Sequence, residues 1–355
     1  MNGTAPVHAV FRADASPVIG VGHVLRSLTI ADVARAAGAR TGFVSAPLPL
    51  AIDALLRRRG HEVSTVLATP GSEGDAQETL RLLAPSSLLV VDGYAFGTDY
   101  QSAVTGKGMT TCFVDDLADV ELATDVVLNH NLYADALPLR SRPGTELLLG
   151  PRYALVASSF RQAREHTQQR GVGDVSSILV TMGGADPGGA TLRVLTAMSR
   201  VRAISEARVV VVVGGANAHL DAIRERAQAS LPRAVVVVDC PTMADEMERA
   251  DLAITAGGTT CMELACVGVP SIVVAVAENQ RGTAAALDAG GLMKSAGWYA
   301  DLGGSGLAGL IEELVASQPT RREMVRKQRA TVDGSGAGRV YDRLLARRAS
   351  DLSRT

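Results

Sequence analysis

The sequence has few aromatic residues, almost no excess charge and no long apolar run. Aromatic side chains make up 3% of the 355 residues, the formal net charge is -2 and the pI is about 6.3. This charge balance gives no electrostatic reason to expect a nucleic acid or an anionic membrane as a partner. Neither a stretch of 18 apolar residues nor a signal-like N-terminus occurs, so we expect a cytoplasmic protein that does not insert into a membrane.

Alanine, valine, leucine and glycine are abundant instead, which is typical of helices that cover buried parallel sheets. Two series of apolar runs alternate with amphipathic helical stretches, which predicts an α/β fold with two doubly wound, Rossmann-like domains. The runs predicted as strands are 7–11, 41–44, 63–67, 88–91 and 111–114 in the first series, and 178–181, 209–213, 235–238, 252–254 and 271–274 in the second.

The two series set the predicted domain boundaries. We expect an N-terminal domain at residues 1–160, a charged linker at 161–175 and a C-terminal domain at 176–336. A last helix at 337–355 is expected to return to the N-terminal domain, by analogy with two-domain architectures. Because ligands bind beyond the carboxyl ends of parallel strands, the strand-ending loops of both domains are expected to face a shared cleft.

The most informative motif is Gly257-Gly258-Thr259-Thr260, followed by Glu263. The glycine pair lets the backbone turn tightly into a helix whose free N–H groups and positive dipole end face an anion. Glu263 falls about one turn after the threonines, where its carboxylate could accept both hydroxyls of a ribose. The pattern predicts a nucleotide-sugar site. The alternative is a glycine-capped helix packed on a strand, with Glu263 merely solvated.

His23 is the candidate catalytic residue, because a long glycine-bearing loop follows the first predicted strand and enters a helix there. A histidine can accept a proton near neutral pH, and general base catalysis is commonly worth about 10² to 10⁴ in rate. A histidine that caps its own helix or supports the loop is the alternative. Asp14 could orient His23 and Arg26 could contact phosphates, although helix capping and solvation explain both equally well.

No metal ion and no cofactor are expected. The cysteines, Cys112, Cys240, Cys261 and Cys266, lack metal-type spacing and mostly lie in apolar surroundings, as reduced buried thiols do. Cys261 lies in the first turn of the predicted phosphate helix, where a thiol can be acidified, although packing is the simpler interpretation. Asp115 and Asp116 are neighbours on a strand end and point oppositely, so we expect one to cap a turn and the other to orient the site.

Several motifs together resemble the PseG/SpsG family, whose best understood members are UDP-sugar hydrolases of the pseudaminic acid pathway, related in fold to GT-B glycosyltransferases. The motifs, in order, are Phe11-Arg12-Ala13-Asp14-Ala15-Ser16, Ile19-Gly20-Val21-Gly22-His23-Val24-Leu25-Arg26, Asp92-Gly93-Tyr94, Asp115-Asp116-Leu117-Ala118, Leu149-Gly150-Pro151-Arg152-Tyr153-Ala154-Leu155, Thr181-Met182-Gly183-Gly184-Ala185-Asp186-Pro187, Ala277-Glu278-Asn279-Gln280 and Val332-Asp333-Gly334. The resemblance covers nearly the whole chain and implies a GT-B fold.

The resemblance also implies roles for individual residues. His23 would be the catalytic histidine, Gly183 and Gly184 would face the diphosphate, and Glu263 would bind the ribose. Asn279 and Gln280 would contact the sugar or its phosphate, and Tyr94 would line the sugar side. The full set predicted to bind substrate is Gly22, Arg26, Tyr94, Gly183, Gly184, Met243, Gly257, Gly258, Thr259, Thr260, Glu263, Glu278, Asn279 and Gln280.

The chain departs from the family pattern at three places. Gly93 stands where the hydrolases usually have histidine, Cys261-Met262 replaces an aromatic residue before Glu263, and Asn129-His130-Asn131 replaces the usual Asp-Gln-Asn. All three lie near the predicted sugar or nucleophile side, whereas the phosphate features remain. We infer a retained donor with an altered nucleophile or sugar, although neutral drift would give the same differences.

These observations predict a UDP-sugar-dependent glycosyltransferase that breaks the anomeric C1–O bond and releases UDP. His23 would activate a small-molecule acceptor, for example a nucleobase, while the phosphate helix stabilises the leaving diphosphate. Three lysines against 32 arginines suggest a GC-rich genome with specialised biosynthetic pathways, which favours transfer. The alternative is a PseG-type hydrolase that uses water in nonulosonic (pseudaminic) acid biosynthesis. A protein that senses a nucleotide-sugar without turnover is a third interpretation.

Overall fold

A computed structural model describes residues 7–16, 19–184, 186–215, 217–302 and 306–353. The chain divides into two compact units: the first comprises Met1–Val156 and Ser335–Thr355, and the second comprises Ala157–Gly334. Each unit is built around its own parallel sheet with helices between the strands. The predicted α/β class with two Rossmann-like sheets is therefore confirmed.

The first unit contains a seven-stranded sheet in the order β3-β2-β1-β4-β5-β7-β9 and a separate β6-β8 pair, and the pairings between these strands are all parallel. Its strands are β1 (His8–Ala13), β2 (Arg40–Ser45), β3 (Glu62–Thr65), β4 (Leu88–Asp92), β5 (Thr110–Val114), β6 (Glu121–Leu122), β7 (Val126–Asn129), β8 (Arg140–Ser141) and β9 (Glu146–Leu149).

The second unit contains a six-stranded parallel sheet in the order β12-β11-β10-β13-β14-β15. Its strands are β10 (Ser177–Thr181), β11 (Arg208–Val213), β12 (Ala234–Val238), β13 (Leu252–Ala256), β14 (Ser271–Ala275) and β15 (Lys294–Trp298). All ten runs predicted as strands overlap strands of the two sheets.

The helices of the chain alternate with these strands. They are α1 (Gly22–Ala36), α2 (Leu50–Arg58), α3 (Glu73–Arg81), α4 (Thr98–Val104), α5 (Ser158–Arg170), α6 (Ala190–Met198), α7 (Leu220–Ser230), α8 (Met243–Arg249), α9 (Thr260–Val267), α10 (Gln280–Ala289), α11 (Gly306–Ala316), α12 (Gln318–Thr331) and α13 (Gly336–Leu352). The last helix, α13, belongs to the first unit.

Strand β4 shows why its sequence is an unbroken apolar run. Leu88 and Val90 pack in one cluster with residues of α1 and α13, whereas Leu89 and Val91 pack in another with residues of α3 and α4. Successive residues of a strand point to opposite faces, so a strand covered by helices on both sides needs apolar residues throughout. Asp92 interrupts this run at the carboxyl end of the strand, and it is fully buried.

The predicted linker at 161–175 is wrong, because most of this segment is helix α5 of the second unit. Ala163 and Thr167 are buried, and the Arg164 guanidinium donates to the carbonyl oxygens of Cys266 and Val332 at 3.1 and 2.9 Å. The charged residues that suggested a linker are the exposed part of an amphipathic helix whose other side is fixed to the unit.

Candidate active site

His23 and Asp92 form a hydrogen-bonded pair at the carboxyl edge of the first sheet. His23 lies in the first turn of α1, which follows β1, and Asp92 ends the adjacent parallel strand β4. His23 Nδ1 lies 2.7 Å from Asp92 Oδ1. Because an ionised carboxylate only accepts hydrogen bonds, Nδ1 is assigned as the donor, and Nε2 of the neutral ring is then a proton acceptor. This arrangement is suited to a general base.

Arg26 keeps Asp92 ionised. Its Nε and Nη2 atoms donate to Asp92 Oδ2 and Oδ1 at 2.5 and 2.6 Å, and its Nη1 atom donates to Asp116 at 2.7 Å. Burial alone would raise the pKa of Asp92, but the Arg26 charge, with hydrogen bonds from Arg26 and His23, lowers it to about 2. Arg26 is itself buried. All three guanidinium nitrogens donate to Asp92 or Asp116, so the predicted contact of Arg26 with phosphates is not supported. The alternative, that Arg26 is a solvated surface residue, is not supported either, because the side chain is buried.

Asp116 and Asn131 extend the same cluster. Asn131 Nδ2 donates to Asp116 Oδ1 and to Asn129 Oδ1, both at 3.0 Å. Asp115, by contrast, caps a turn by accepting from the backbone N–H of Ala118 at 3.0 Å. The two neighbouring carboxylates therefore divide as expected: one caps a turn and the other supports the residues behind His23.

Asp14 does not orient His23. Its carboxylate accepts from Arg12 at 2.5 Å and from the backbone N–H of Ala46 at 2.7 Å, so it ties β1 to the loop after β2. Sequence reasoning missed that Asp92 has the orienting position. The signal was available, because Asp92 directly follows the apolar run 88–91, and the carboxyl ends of parallel strands lie at the same edge of a sheet.

Gly93 and Tyr94 follow Asp92 and shape the surroundings of His23. The Tyr94 ring meets the His23 ring edge to face, with centroids 4.9 Å apart, and Tyr94 is 57% exposed. Gly93 has a φ of +154°, and a Cβ atom there would lie 2.9 Å from the Phe96 ring. A histidine at position 93, as the hydrolases usually have, would therefore require the loop to move.

His130 is buried beside this cluster. Burial, and then the Arg26 charge, lower the pKa of His130 to about 4, so its ring is neutral at physiological pH. Within the described residues, His130 Nδ1 and Asn129 Nδ2 are buried without a hydrogen-bond partner. The segment Asn129-His130-Asn131, which replaces the usual Asp-Gln-Asn, therefore lies beside the charged residues that support His23.

The glycine turn of the second unit is joined to the loop after β14. The Gly257 N–H lies 3.0 Å from the Val274 carbonyl oxygen and 3.2 Å from Gln280 Oε1, and Gln280 Oε1 also accepts from the Val276 N–H at 3.1 Å. The Gln280 amide oxygen thus holds two loops together. A Cβ atom at Gly257 would lie 3.0 Å from the Gln280 Cβ, so any other residue here would require Gln280 to shift.

Helix α9 begins at Thr260, and in the described part of the chain no side chain caps its N-terminus. Gly258 and Thr259, which precede it, are exposed. The N–H groups of the first turn and the positive end of the helix dipole are therefore available to an anion.

Glu263 lies in the first turn of α9 and is partly buried. Burial raises the pKa of Glu263 to about 7, against a hydrogen bond from Thr260 that lowers it. Cys261 is not acidified, in agreement with the packing interpretation: burial, with a smaller contribution from Glu263, raises the pKa of this thiol to about 12. Cys261 Sγ lies 3.3 Å from the Ala256 carbonyl oxygen, so the residue packs passively.

The remaining predicted residues occupy the same edge of the second sheet. Gly183 has a φ of +86° after β10, and the Gly184 carbonyl accepts from the Gly214 N–H at 3.1 Å. Met243 begins α8, Asn279 precedes α10, and Glu278 is exposed and pairs with Arg281 at 2.8 Å. Ala185, which belongs to a predicted motif, and Pro17 and Val18, which lie between two of the motifs, are outside the described residues.

The site residues therefore form two sets, one on the carboxyl edge of each sheet. Gly22, His23, Arg26 and Tyr94 belong to the first unit, and all the others belong to the second. Among the described residues, no group of three or more histidine, cysteine or acidic side chains is placed to hold a metal ion. Over the same ranges, no helix combines the length and the apolar character that crossing a membrane requires.

Comparison with known proteins links the second unit to a family. Residues 178–335 match the glycosyltransferase family 28 C-terminal domain. The chain is 32% identical over 222 residues to the spore coat polysaccharide biosynthesis protein SpsG of Bacillus subtilis (strain 168). This match spans 61% of the chain and 63% of SpsG, which is less than two thirds of that relative's length.

Solved structures support the same fold. MurG of Acinetobacter baumannii has a TM-score of 0.67 at 17% identity, and the match covers 96% of this chain and all of MurG. A UDP co-structure of MnaA from S. aureus has a TM-score of 0.64 at 12% identity, with 94% of each chain covered. These matches confirm the predicted GT-B fold, and the sequence match to SpsG confirms that resemblance. The chain thus has a GT-B fold, is similar to SpsG over 61% of its length, and matches the glycosyltransferase family 28 C-terminal domain over residues 178–335.

Proposed function

We propose that the protein is a UDP-sugar-dependent glycosyltransferase in which the second unit binds the donor and His23 activates the acceptor. The observation that carries this proposal is the pairing of His23 with the buried carboxylate of Asp92 at 2.7 Å. The family 28 match supports the donor role, because it includes Gly257 to Glu263. The similarity to MnaA, whose structure was determined with UDP, supports UDP as the nucleotide.

The reaction uses the two sets of residues in different ways. His23 Nε2 removes the proton of an acceptor hydroxyl or N–H group, and the freed electron pair attacks C1 of the sugar. The bond between C1 and the phosphate oxygen breaks, and its electrons leave with UDP. The N-terminus of α9 stabilises the negative charge that develops on the diphosphate. The proton stays on His23 as an imidazolium, which Asp92 stabilises until the proton passes to solvent.

Hydrolysis is the second candidate, because the same pair can activate water and the motifs resemble those of UDP-sugar hydrolases. A screen of UDP-sugars for UDP release, with and without pooled metabolites, separates the two. Transfer requires that UDP release rises steeply when one acceptor is added and that the product mass contains both parts. Full UDP release without any acceptor, with oxygen from labelled water in the sugar, would identify a hydrolase. Tight donor binding without turnover would identify a sensor.

Donor affinity is expected to depend on pH through Glu263. The carboxylate form accepts the ribose hydroxyls, and the pKa of Glu263 is raised to about 7 by burial. The protonated fraction therefore grows as the pH falls below 7, and the donor Kd should increase from pH 8 to pH 6. Calorimetric titration of wild type and Glu263→Ala with UDP-sugar measures this effect.

Glu263→Ala is expected to bind the donor more weakly and with little pH dependence over the same range. Glu323→Ala is the matched control, because Glu323 is an exposed carboxylate that pairs with Arg326 on α12 and is not among the predicted site residues. It should retain the pH dependence. An unchanged donor Kd in Glu263→Ala would contradict the ribose role.

A further inference from the structure

The first unit exposes large apolar side chains along one edge of its sheet. Ten of its large hydrophobic residues are exposed within the described ranges, and seven of these follow the carboxyl ends of β1 to β5. We call these seven the apolar rim: Ile19, Val21 and Leu25 after β1, Leu50 after β2, Leu67 after β3, Tyr94 after β4 and Leu117 after β5. Single exposed leucines are ordinary, whereas a concentration on one edge indicates a binding surface.

The apolar rim is long and well exposed. The strand order β3-β2-β1-β4-β5 makes the five carboxyl ends consecutive. Because neighbouring strands lie about 4.8 Å apart, the rim follows roughly 19 Å of the sheet edge. Leu50 and Leu67 are 90% and 83% exposed. In the second unit, by contrast, Val235 is the single exposed large hydrophobic residue among those described.

The apolar rim also adjoins the proposed general base. Tyr94 contacts the His23 ring, Val21 lies two residues before His23, and Leu117 follows Asp116, which pairs with Arg26. His23 follows β1, so a molecule seated on the part of the rim that follows β3 and β2 would place its end beside His23. The rim and the base belong to one surface of the first unit.

The charges near the apolar rim argue against a membrane surface. The segments that leave β1 to β5, residues 14–22, 46–50, 66–72, 93–97 and 115–120, contain no lysine or arginine. They do contain four aspartates, Asp14, Asp115, Asp116 and Asp119. Peripheral contact with anionic lipid relies on basic residues beside the apolar ones. The composition fits an uncharged molecule better than a lipid headgroup surface.

We infer that the apolar rim binds the body of the acceptor, and that this acceptor is an uncharged molecule with an extended apolar body and one nucleophilic hydroxyl group. This inference rests on the proposed transferase function. The body covers the rim, and the hydroxyl lies within reach of His23 Nε2. An apolar body also displaces water from the neighbourhood of the base, which favours transfer over hydrolysis. A rim of this length extends well beyond the span of a nucleobase.

Straight-chain primary alcohols test the inference as surrogate acceptors. With a competent UDP-sugar donor, kcat/KM for alkyl glycoside formation, measured by product mass, should rise at least about thirtyfold from ethanol to 1-octanol, because each buried methylene is favourable. The Leu50→Asn/Leu67→Asn variant should lower the 1-octanol value at least about fivefold and leave the ethanol value nearly unchanged. Leu82→Asn and Leu147→Asn are matched controls, since these residues are 41% and 43% exposed outside the rim.

A binding measurement keeps this test independent of turnover. The fluorescence of N-phenyl-1-naphthylamine, titrated without donor, should increase less with the double rim variant than with wild type or either control. If no UDP-sugar releases UDP with any nucleophile, the proposed function fails. The difference in fluorescence between wild type and the double rim variant would still show whether the rim binds an apolar molecule. Equal kcat/KM for ethanol and 1-octanol, or an equal loss in the controls, would overturn the inference. The inference would also be overturned if wild type bound phosphatidylcholine–phosphatidylglycerol vesicles and the double rim variant did not, while this variant kept the wild-type preference for 1-octanol over ethanol.

Discussion

His23→Ala is expected to lower kcat by at least about a hundredfold and to leave the donor Kd nearly unchanged. General base catalysis commonly contributes about 10² to 10⁴ in rate, and the imidazole paired with Asp92 is the proposed base. The residues proposed to hold the donor belong to the second unit, whereas His23 belongs to the first. UDP release gives kcat, and calorimetric titration with the donor gives Kd separately.

His166→Ala is the matched control for this measurement. His166 is an exposed histidine on α5 that pairs with Glu248 at 2.9 Å, and its removal should leave turnover unchanged. Turnover of His23→Ala close to that of wild type would remove His23 from the mechanism. A donor Kd raised in step with the loss of turnover would instead give His23 a binding role.

Asp92→Asn is expected to lower kcat by about a hundredfold with little change in KM. The amide is neutral, so it stabilises the imidazolium less, and it no longer fixes which ring nitrogen carries the proton. Arg26 also loses a charged partner in a buried position, so the free energy of unfolding should fall by roughly 3 kcal/mol. Turnover is therefore compared at a temperature at which both proteins are folded by circular dichroism.

The stability difference between wild type and Asp92→Asn should itself depend on pH. The pKa of Asp92 is lowered from its ordinary 3.8 to about 2 in the folded protein, so the stabilisation is complete above about pH 4. It is lost as the pH falls through 2. Urea titrations between pH 5 and pH 2 should show the two unfolding free energies converging toward the acid end. A constant difference would contradict an ionised Asp92.

Asp116→Asn separates orientation from stability. This change removes a charged partner of Arg26 but leaves the contacts of Asp92 with His23 and Arg26 in place. We expect some loss of stability and a kcat within about fivefold of wild type. If Asp116→Asn lost as much turnover as Asp92→Asn, any weakening of this cluster would impair the enzyme. That result would contradict a specific role of Asp92 in orienting His23.

The sequence predicted the buried strands because helices cover both faces of each sheet, so the central strands are continuous apolar runs. It did not predict β7, β9 and β15. β15 contains a lysine, a serine and a glycine and lies at the edge of its sheet. An edge strand is less buried than a central one, so its sequence lacks the apolar run by which the other strands were predicted. The helix α5 was misread for a related reason, because its buried side is narrow and its exposed side is strongly charged.

Local motifs predicted the glycine turn and the position of His23, but pairings between distant segments remained hidden. The contact of His23 with Asp92 joins residues 69 positions apart, and it follows from the order β1-β4 in the sheet. The contact of Gln280 with Gly257 joins the ends of β13 and β14 in the same way. The pKa of Glu263 depends on how deeply its carboxylate is covered, which no spacing of residues reveals.

Helix α13 has a consequence for how the protein forms during synthesis. Its Val340, Tyr341 and Leu344 lie in the apolar cluster that also contains α1, although the whole of the second unit separates them along the chain. On the ribosome, the second unit is complete before the first has received its final helix. One apolar face of the N-terminal sheet therefore remains incompletely covered until α13 has been synthesised. During that interval this sheet is the part of the nascent chain most prone to aggregate or to bind chaperones.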